Sequence, residues 1–249
     1  MVRPKKNLGQ HFLKDQNIAR KIVDSLGATV PNVLEVGPGM GVLTRFLMQR
    51  SGFSLHVVEV DAESVAYLKN HFPELDGRIY FRDFLKWDAA EMQETFSIIG
   101  NFPYNISSQI FFRILNWRNR VPEVVCMVQK EVAERLSAPP GSKTYGILSV
   151  LLGAFYDIEY LFTVSEQVFI PPPRVKSAVI RLRRNPVDKL PCNEELFFRI
   201  VKAAFNKRRK MLRNSLSELE LGIPEQFAEK RPEQLSVADF IRLTQMVET

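Results

Sequence analysis

The feature that most restricts the fold is an alternation of short apolar runs with helix-spaced segments or loops. The runs are Val33–Val36, Leu55–Val60, Ile79–Arg82, Phe96–Ile99 and Val124–Val128. Runs this short and this rich in Val and Ile read as strands buried on both faces. Strands that alternate with helices pair in parallel, because each crossover returns the chain to the same end of the sheet. Before them, "DQNIARKIVDSLG" predicts a helix with Asp15 as cap and Gly27 as stop. After Gly146 the pattern changes. "ILSVLLGAF" predicts a helix, while "DIEYLFTV" and "SAVIRLRR" predict an antiparallel hairpin at the sheet edge, its connection stiffened by Pro171, Pro172 and Pro173. From Cys192 onward only helical spacing remains, and Pro186 and Pro191 bracket a polar linker. The expectation is an α/β domain over residues 1–187, a mixed sheet with helices on both faces, and a small all-helical domain over 188–249.

Composition excludes several classes. With 45% hydrophobic and 25% charged residues over 249 positions, the chain has the make-up of an ordinary folded protein rather than a disordered one. The start, MVRPKKNLGQ, is basic without the apolar segment of a signal peptide, and no apolar run reaches membrane-spanning length, so a cytoplasmic location is expected. Two cysteines and three scattered histidines, His11, His56 and His71, lack metal-ligand spacing, and no metal is expected.

The net charge of +6 is unevenly spread. From Arg174 to Arg213 there are thirteen Lys or Arg against three Asp or Glu, a balance of +10 that leaves −4 elsewhere. The densest part, "FNKRRKMLRNSL", interleaves Lys207, Arg208, Arg209, Lys210 and Arg213 with Phe205, Met211, Leu212 and Leu216. A helix here buries the apolar stripe and shows its cations to solvent. A solvated face normally mixes signs, so this one-sided cluster points to a polyanion, nucleic acid above all.

The stretch "VLEVGPGMGVLTRFL" feeds a strand into Gly37, Gly39 and Gly41 and then a helix, the arrangement in which backbone closely approaches a nucleotide-like ligand. Val42 stands where the dinucleotide fingerprint needs its third glycine, so pyrophosphate binding is disfavoured. Glu59, twenty-two residues after Gly37, ends the next strand, where a carboxylate can accept both hydroxyls of a ribose. Asp83 ends the third. In a parallel sheet these ends open onto one crevice, although each carboxylate could equally be a helix cap. The fourth run ends in Asn101-Phe102-Pro103-Tyr104 before helical spacing resumes, a corner that turn chemistry alone can account for.

Taken together the residues are similar to the S-adenosylmethionine-dependent methyltransferases of class I, which have a Rossmann-like fold. "GNFPYNIS" resembles the Asn-Leu-Pro-Tyr signature of RNA adenine methyltransferases. "NLGQHFLKD", "EVGPGMGVLT", "NFPYNISS", "QKEVAERL", "GSKTYGILSVL", "FIPPPRVKSAVIRL" and "FNKRRKMLRNSL", in this order from Asn7 to Leu216, resemble the bacterial small-subunit ribosomal RNA adenine dimethyltransferases of the KsgA type. The resemblance implies S-adenosylmethionine as cofactor, held by His11, Leu13, Gly37, Gly39, Glu59, Asp83 and Asn101. It implies a target site at Asn101, Phe102, Pro103, Tyr104 and Phe169, with Phe169 across the pocket from Tyr104. It implies 16S rRNA of the small ribosomal subunit or its precursor as partner, adjacent adenines of the 3′-terminal hairpin as targets, a role in ribosome assembly, and a monomer. His11 stands where this family usually has Asn, and Phe102 where Leu is common.

This reading gives the corner a chemical purpose. Adenine's exocyclic amine is a poor nucleophile because its lone pair is delocalised into the ring. Acceptors at the Asn101 side chain and the Phe102 carbonyl favour a pyramidal nitrogen, Pro103 stiffens the corner, and Tyr104 offers a stacking face. No general base is needed, since alkylation itself makes the amine acidic. Three other readings compete: a large-subunit methyltransferase of the erythromycin-resistance type, a DNA adenine methyltransferase, and a non-catalytic RNA-binding assembly or transcription factor on the same fold. The basic segment weighs against the first, the single proline after Asn101 against the second, and the intact acids and corner against the third.

Overall fold

In the computed structural model, residues 2, 4–5, 8–27, 29–92 and 94–248 are described; Asn7, the first residue of "NLGQHFLKD", lies outside them. The strands are β1 (Phe12–Leu13), β2 (Asn32–Val36), β3 (Ser54–Glu59), β4 (Ile79–Phe81), β5 (Phe96–Asn101), β6 (Glu123–Gln129), β7 (Tyr156–Val164), β8 (Phe169–Ile170) and β9 (Ser177–Arg184). Helices α1 (Gln16–Asp24), α2 (Val42–Leu47), α3 (Ala62–His71) and α4 (Ser107–Asn116) lie among them. Then follow α5 (Lys130–Leu136), α6 (Ile147–Gly153), α7 (Glu194–Asn206), α8 (Leu212–Ser215), α9 (Glu225–Ala228) and α10 (Val237–Val247). No helix among the described residues is long and apolar enough to cross a membrane.

Seven strands form one sheet in the order β4-β3-β2-β5-β6-β9-β7. The pairs from β4 to β6 are parallel and β9 is antiparallel to β6, so the sheet is mixed, as expected. The direction of crossover reverses between β4 and β5. Right-handed connections therefore set α2 and α3 on one face and α4 on the other, and the switch point lies between β2 and β5. Asp15 caps α1 as the sequence suggests, its side chain accepting from the Asn17 and Ile18 backbone N–H groups. The core beside the sheet includes Leu13, Ile22, Leu26, Val33, Val57, Ile99, Val125 and Phe169. Beyond the expected strands, β1 and β8 form a separate antiparallel pair with Phe12 opposite Ile170 and Leu13 opposite Phe169. At two residues each, they are too short to show a period.

The chain divides by compactness into Met1–Ala133 with Glu159–Arg184, and Glu134–Ile158 with Asn185–Thr249. A contiguous cut at 187/188 leaves α6 with the first group. In the structure α6 contributes buried Leu148, Val150, Leu151 and Leu152 to the second, where it packs on α7 and α10. The basic segment also differs from expectation. α7 ends at Asn206, Lys207 leaves helical geometry with φ −115° and ψ 44°, and Lys207–Lys210 form a turn before α8. Phe205, Leu212 and Leu216 are buried, whereas Met211 is exposed. The Leu212 N–H donates to Lys230 O (2.8 Å), which ties the start of α8 to a distant loop rather than to a continued helix.

Glu35, in β2, is buried and accepts from Thr44 Oγ1 at 2.6 Å. Burial pushes its carboxyl up to about 8 from 4.5, with Glu59 adding to the rise and Thr44 opposing it. Ionisation therefore opposes folding. The stability held by protonated Glu35 is fully present below pH 4.5 and is lost as pH rises through about 8. Glu35→Gln, which keeps an acceptor for Thr44, is expected to flatten this decline and to melt above wild type at alkaline pH. Thermal denaturation across the window checks this, and parallel curves for the two proteins would refute it.

Candidate active site

The carboxyl ends of β2, β3 and β5 open onto a cavity of about 260 Å³ in the first unit. The glycine turn after β2 forms one side. Gly39 has φ 55°, and a Cβ there would lie 2.8 Å from the Phe12 ring, so no other residue fits without displacing that ring. Gly37 also needs its positive φ of 66°, but a Cβ there would meet nothing. Its backbone can be approached closely.

Glu59 ends β3 and is nearly buried. Its Oε1 accepts from the Val60 and Asp61 N–H groups at 2.8 and 2.9 Å, and its Oε2 from Gly39 N–H at 3.2 Å. Burial pushes its carboxyl above the ordinary range while these donors pull it down. The expectation of a free carboxylate fork needs adjusting. Three of about four acceptor positions are filled, one of them by the glycine turn, so a ribose finds one position open and a second only in competition with Gly39. Glu59→Ala should therefore weaken an adenosyl cofactor by about 1.5 to 3 kcal/mol and also lower the melting temperature, because three N–H groups lose their acceptor. Calorimetry and thermal denaturation together test this. Unchanged affinity would remove Glu59 from the cofactor site.

Asp83 lies on the same cavity and accepts from Leu85 N–H at 3.0 Å. Val58, Val60, Phe84, Leu85 and Ile110 add apolar walls suited to a flat heterocycle, and their scatter over the chain gives no motif from which to predict them. The N-terminal segment Leu8–Phe12 lines the cavity too. Just before it, Lys5 pairs with Asp61 and with Glu63 (3.1 Å), contacts the sequence reading missed because 56 residues separate Lys5 from Asp61.

At the end of β5, Asn101 Nδ2 donates to the His11 carbonyl at 2.9 Å. That bond fixes the amide and leaves Oδ1 buried without a partner. The Phe102 N–H donates to Met127 O (3.0 Å), but no donor among the described residues reaches the Phe102 carbonyl. Asn101 and Phe102, each with an acceptor that no described donor takes, both line this cavity. Tyr104 stacks on the His11 imidazole with centroids 5.3 Å apart and planes at 28°. Its hydroxyl bonds to Ser177 Oγ, and burial raises the phenol above its ordinary value against that bond. His11 Nδ1 lies 2.8 Å from Pro171 O. His11 therefore meets the corner through both its carbonyl and its ring.

Two expected members lie elsewhere. Phe169 is 1% exposed, belongs to the apolar core and lines neither this cavity nor the next; the ring beside Tyr104 is His11. Strand β8 pairs with β1 and turns Phe169 inward, while its neighbour Ile170 is 55% exposed. Leu13 is likewise buried and lines a second cavity instead. In the second unit, Lys207 pairs with Glu218 (2.7 Å), Arg213 with Glu229 (3.4 Å), and Arg208 with Ser142 O (3.1 Å) and Glu233 (3.9 Å). Arg209 and Lys210 are exposed and make no ion pair among the described residues.

The comparisons with known proteins agree with one another. The family described as ribosomal RNA adenine dimethylase matches residues 1–248. A ribosomal RNA small subunit methyltransferase A of Parabacteroides distasonis is 56% identical over 253 residues, covering 98% of this chain and 94% of the relative. Among solved structures, a dimethyladenosine transferase from Plasmodium falciparum aligns with TM-score 0.79 and 24% identity over 94% of this chain and 96% of that one. The 23S rRNA methyltransferase ErmE aligns with TM-score 0.70 and 25% identity over 94% and 99%. The match over nearly the full length and the α/β fold with its glycine turn and Asn-Phe-Pro-Tyr corner lead to one assignment: the chain belongs to the ribosomal RNA adenine dimethylase family.

Proposed function

We propose that this protein transfers methyl groups from S-adenosylmethionine to the exocyclic N6 amine of two adjacent adenines in the 3′-terminal hairpin of 16S rRNA, and takes part in small-subunit assembly in the cytoplasm. The observation that carries the reading is that, among the described residues, neither the buried Asn101 Oδ1 nor the carbonyl of the next residue, Phe102, has a donor. A buried acceptor left unpaired costs about 1 to 3 kcal/mol, and an amine with two hydrogens relieves that cost. The cofactor fits the first cavity: Glu59 for the ribose, Asp83 and the apolar walls for the base, Gly37 and Gly39 for close approach. When bound, it supplies an electrophilic methyl group.

The residues of the chain do the rest. Asn101 and Phe102 accept the two amine hydrogens and turn the nitrogen lone pair out of the adenine ring. Pro103 restricts the corner, and Tyr104, steadied by Ser177, presents a stacking face to the extruded base. Alkylation makes the amine acidic, so its proton passes to solvent without a basic side chain. A monomethylated amine retains one hydrogen, and rotation about its C–N bond brings that hydrogen to one of the acceptors for the second transfer. Mass spectrometry of 16S and 23S RNA from unmethylated small and large particles, each incubated with the protein and S-adenosylmethionine, tests the reading. Methylation only of 23S RNA would favour the large-subunit alternative.

Within this reading, Arg209 and Lys210 contact RNA phosphates. Neutralising both should weaken RNA binding and flatten the plot of log affinity against log salt by about 0.7 to 0.9 per contact, with cofactor affinity unmoved. An unchanged slope would make the turn a merely solvated one.

A further inference from the structure

Beside the first cavity lies a second of about 770 Å³, which shares Phe12, Gly37 and Asn101 with it. Its size falls in the range of about 300 to 1,000 Å³ typical of ligand sites. Phe12, Leu13, Val42, Leu43 and Ile170 make its walls largely apolar, and Ile170 stands 55% exposed beside it. Lys14 and Arg45 also line it, both exposed and neither in an ion pair among the described residues. The one carboxyl on its lining is Glu35, bonded to Thr44 inside the fold. Burial holds that group largely protonated at neutral pH, so it does little to offset the two cations. The cavity is thus positive and amphipathic, and it reaches the reacting corner through Asn101.

We propose that this second cavity seats the RNA strand next to the reacting adenine, with Lys14 and Arg45 on the phosphates of the flanking nucleotides and the wall around Ile170 against a sugar or base. The inference rests on the proposed reaction and adds to it a contact site distinct from the basic turn at Lys207–Lys210. Unpaired cations at the rim of an apolar cavity suit a strand whose charge lies on its backbone and whose bases are flat and apolar on their faces. An extruded base must carry its own two phosphates towards the corner, and these cations border the cavity that adjoins it.

The test uses the full-length protein and a synthetic RNA hairpin with two adjacent loop adenines, titrated at several salt concentrations. Lys14→Gln and Arg45→Gln should each flatten the log-affinity against log-salt slope by about 0.7 to 0.9, and the double variant by about twice that. Lys14→Arg and Arg45→Lys should restore the slope, and calorimetric affinity for S-adenosylmethionine should stay at the wild-type value. A double variant with wild-type slope overturns the proposal. So does a large loss of cofactor affinity with RNA binding intact, which would give the cavity to the amino-acid end of the cofactor. If the wild-type protein binds the hairpin but transfers no methyl group to RNA, the catalytic reading fails, while the salt slopes still decide the cavity.

Discussion

Asn101→Ala should slow single-turnover methyl transfer by about 100- to 1,000-fold, the usual effect of removing one preorganised polar group from a reacting centre. RNA and cofactor affinities should change far less. The reason lies in the two halves of the amide. Nδ2 is committed to the His11 carbonyl, so Oδ1 is held in place before substrate arrives, and in the proposed reaction its acceptor strength acts on the nitrogen that must change shape. Asn101→Asp probes the same arrangement from the other side. It keeps an acceptor but sets a carboxylate oxygen against the His11 carbonyl, so it too should be slow. Rapid-quench kinetics with labelled cofactor beside equilibrium RNA binding checks both variants. An equal loss in RNA affinity with an unaltered single-turnover rate would mean that Asn101 binds rather than orients.

The second large effect separates two aromatic residues that the sequence groups together. Phe169→Ala should lower stability by about 3 to 5 kcal/mol, because the ring is 1% exposed within the core and its removal leaves a cavity. Any loss of activity should follow the loss of folded protein. Tyr104→Ala should instead keep the melting temperature near wild type and weaken base capture by about 1 to 3 kcal/mol. Tyr104→Phe retains the stacking face and forfeits only the bond to Ser177, so it should keep most activity. Melting temperature measured beside fluorescence of an RNA carrying 2-aminopurine at the target position distinguishes these cases. A Phe169→Ala protein that melts like wild type yet fails to capture the base would return Phe169 to the target pocket.

The contrast shows which features the sequence makes legible. Five parallel strands were readable because each is a short apolar or aromatic run between helix-spaced segments or loops, and period and composition are local properties. Gly37, Glu59, Asp83 and Asn101 were readable as a group because a parallel sheet carries the ends of successive strands to one edge. What was hidden depends on partners far along the chain. The Gly39 N–H that takes one Glu59 oxygen from 20 residues away, the Asn101 bond to His11 across 90 residues, and the Tyr104 bond to Ser177 across 73 follow from turn geometry and register, which no short window contains. The inward facing of Phe169 was hidden for a related reason. Its strand has two residues, and a pairing that short shows no alternation to say which side chain faces inward. The turn at Lys207–Lys210 was read as helix because its apolar spacing continues beyond Asn206 while the backbone does not.

The interrupted course of the second unit limits how such proteins can be recombined. A chimera joined at the linker before α7 would draw α7 to α10 from one parent and α6 from the other, and the seam where α6 meets α7 and α10 would be a hybrid. Four buried side chains of α6, Leu148, Val150, Leu151 and Leu152, would then face surfaces with which they did not co-evolve. A graft that carries 134–158 together with 185–249 keeps that seam of single parentage. The strands between those stretches become the part the recipient must supply.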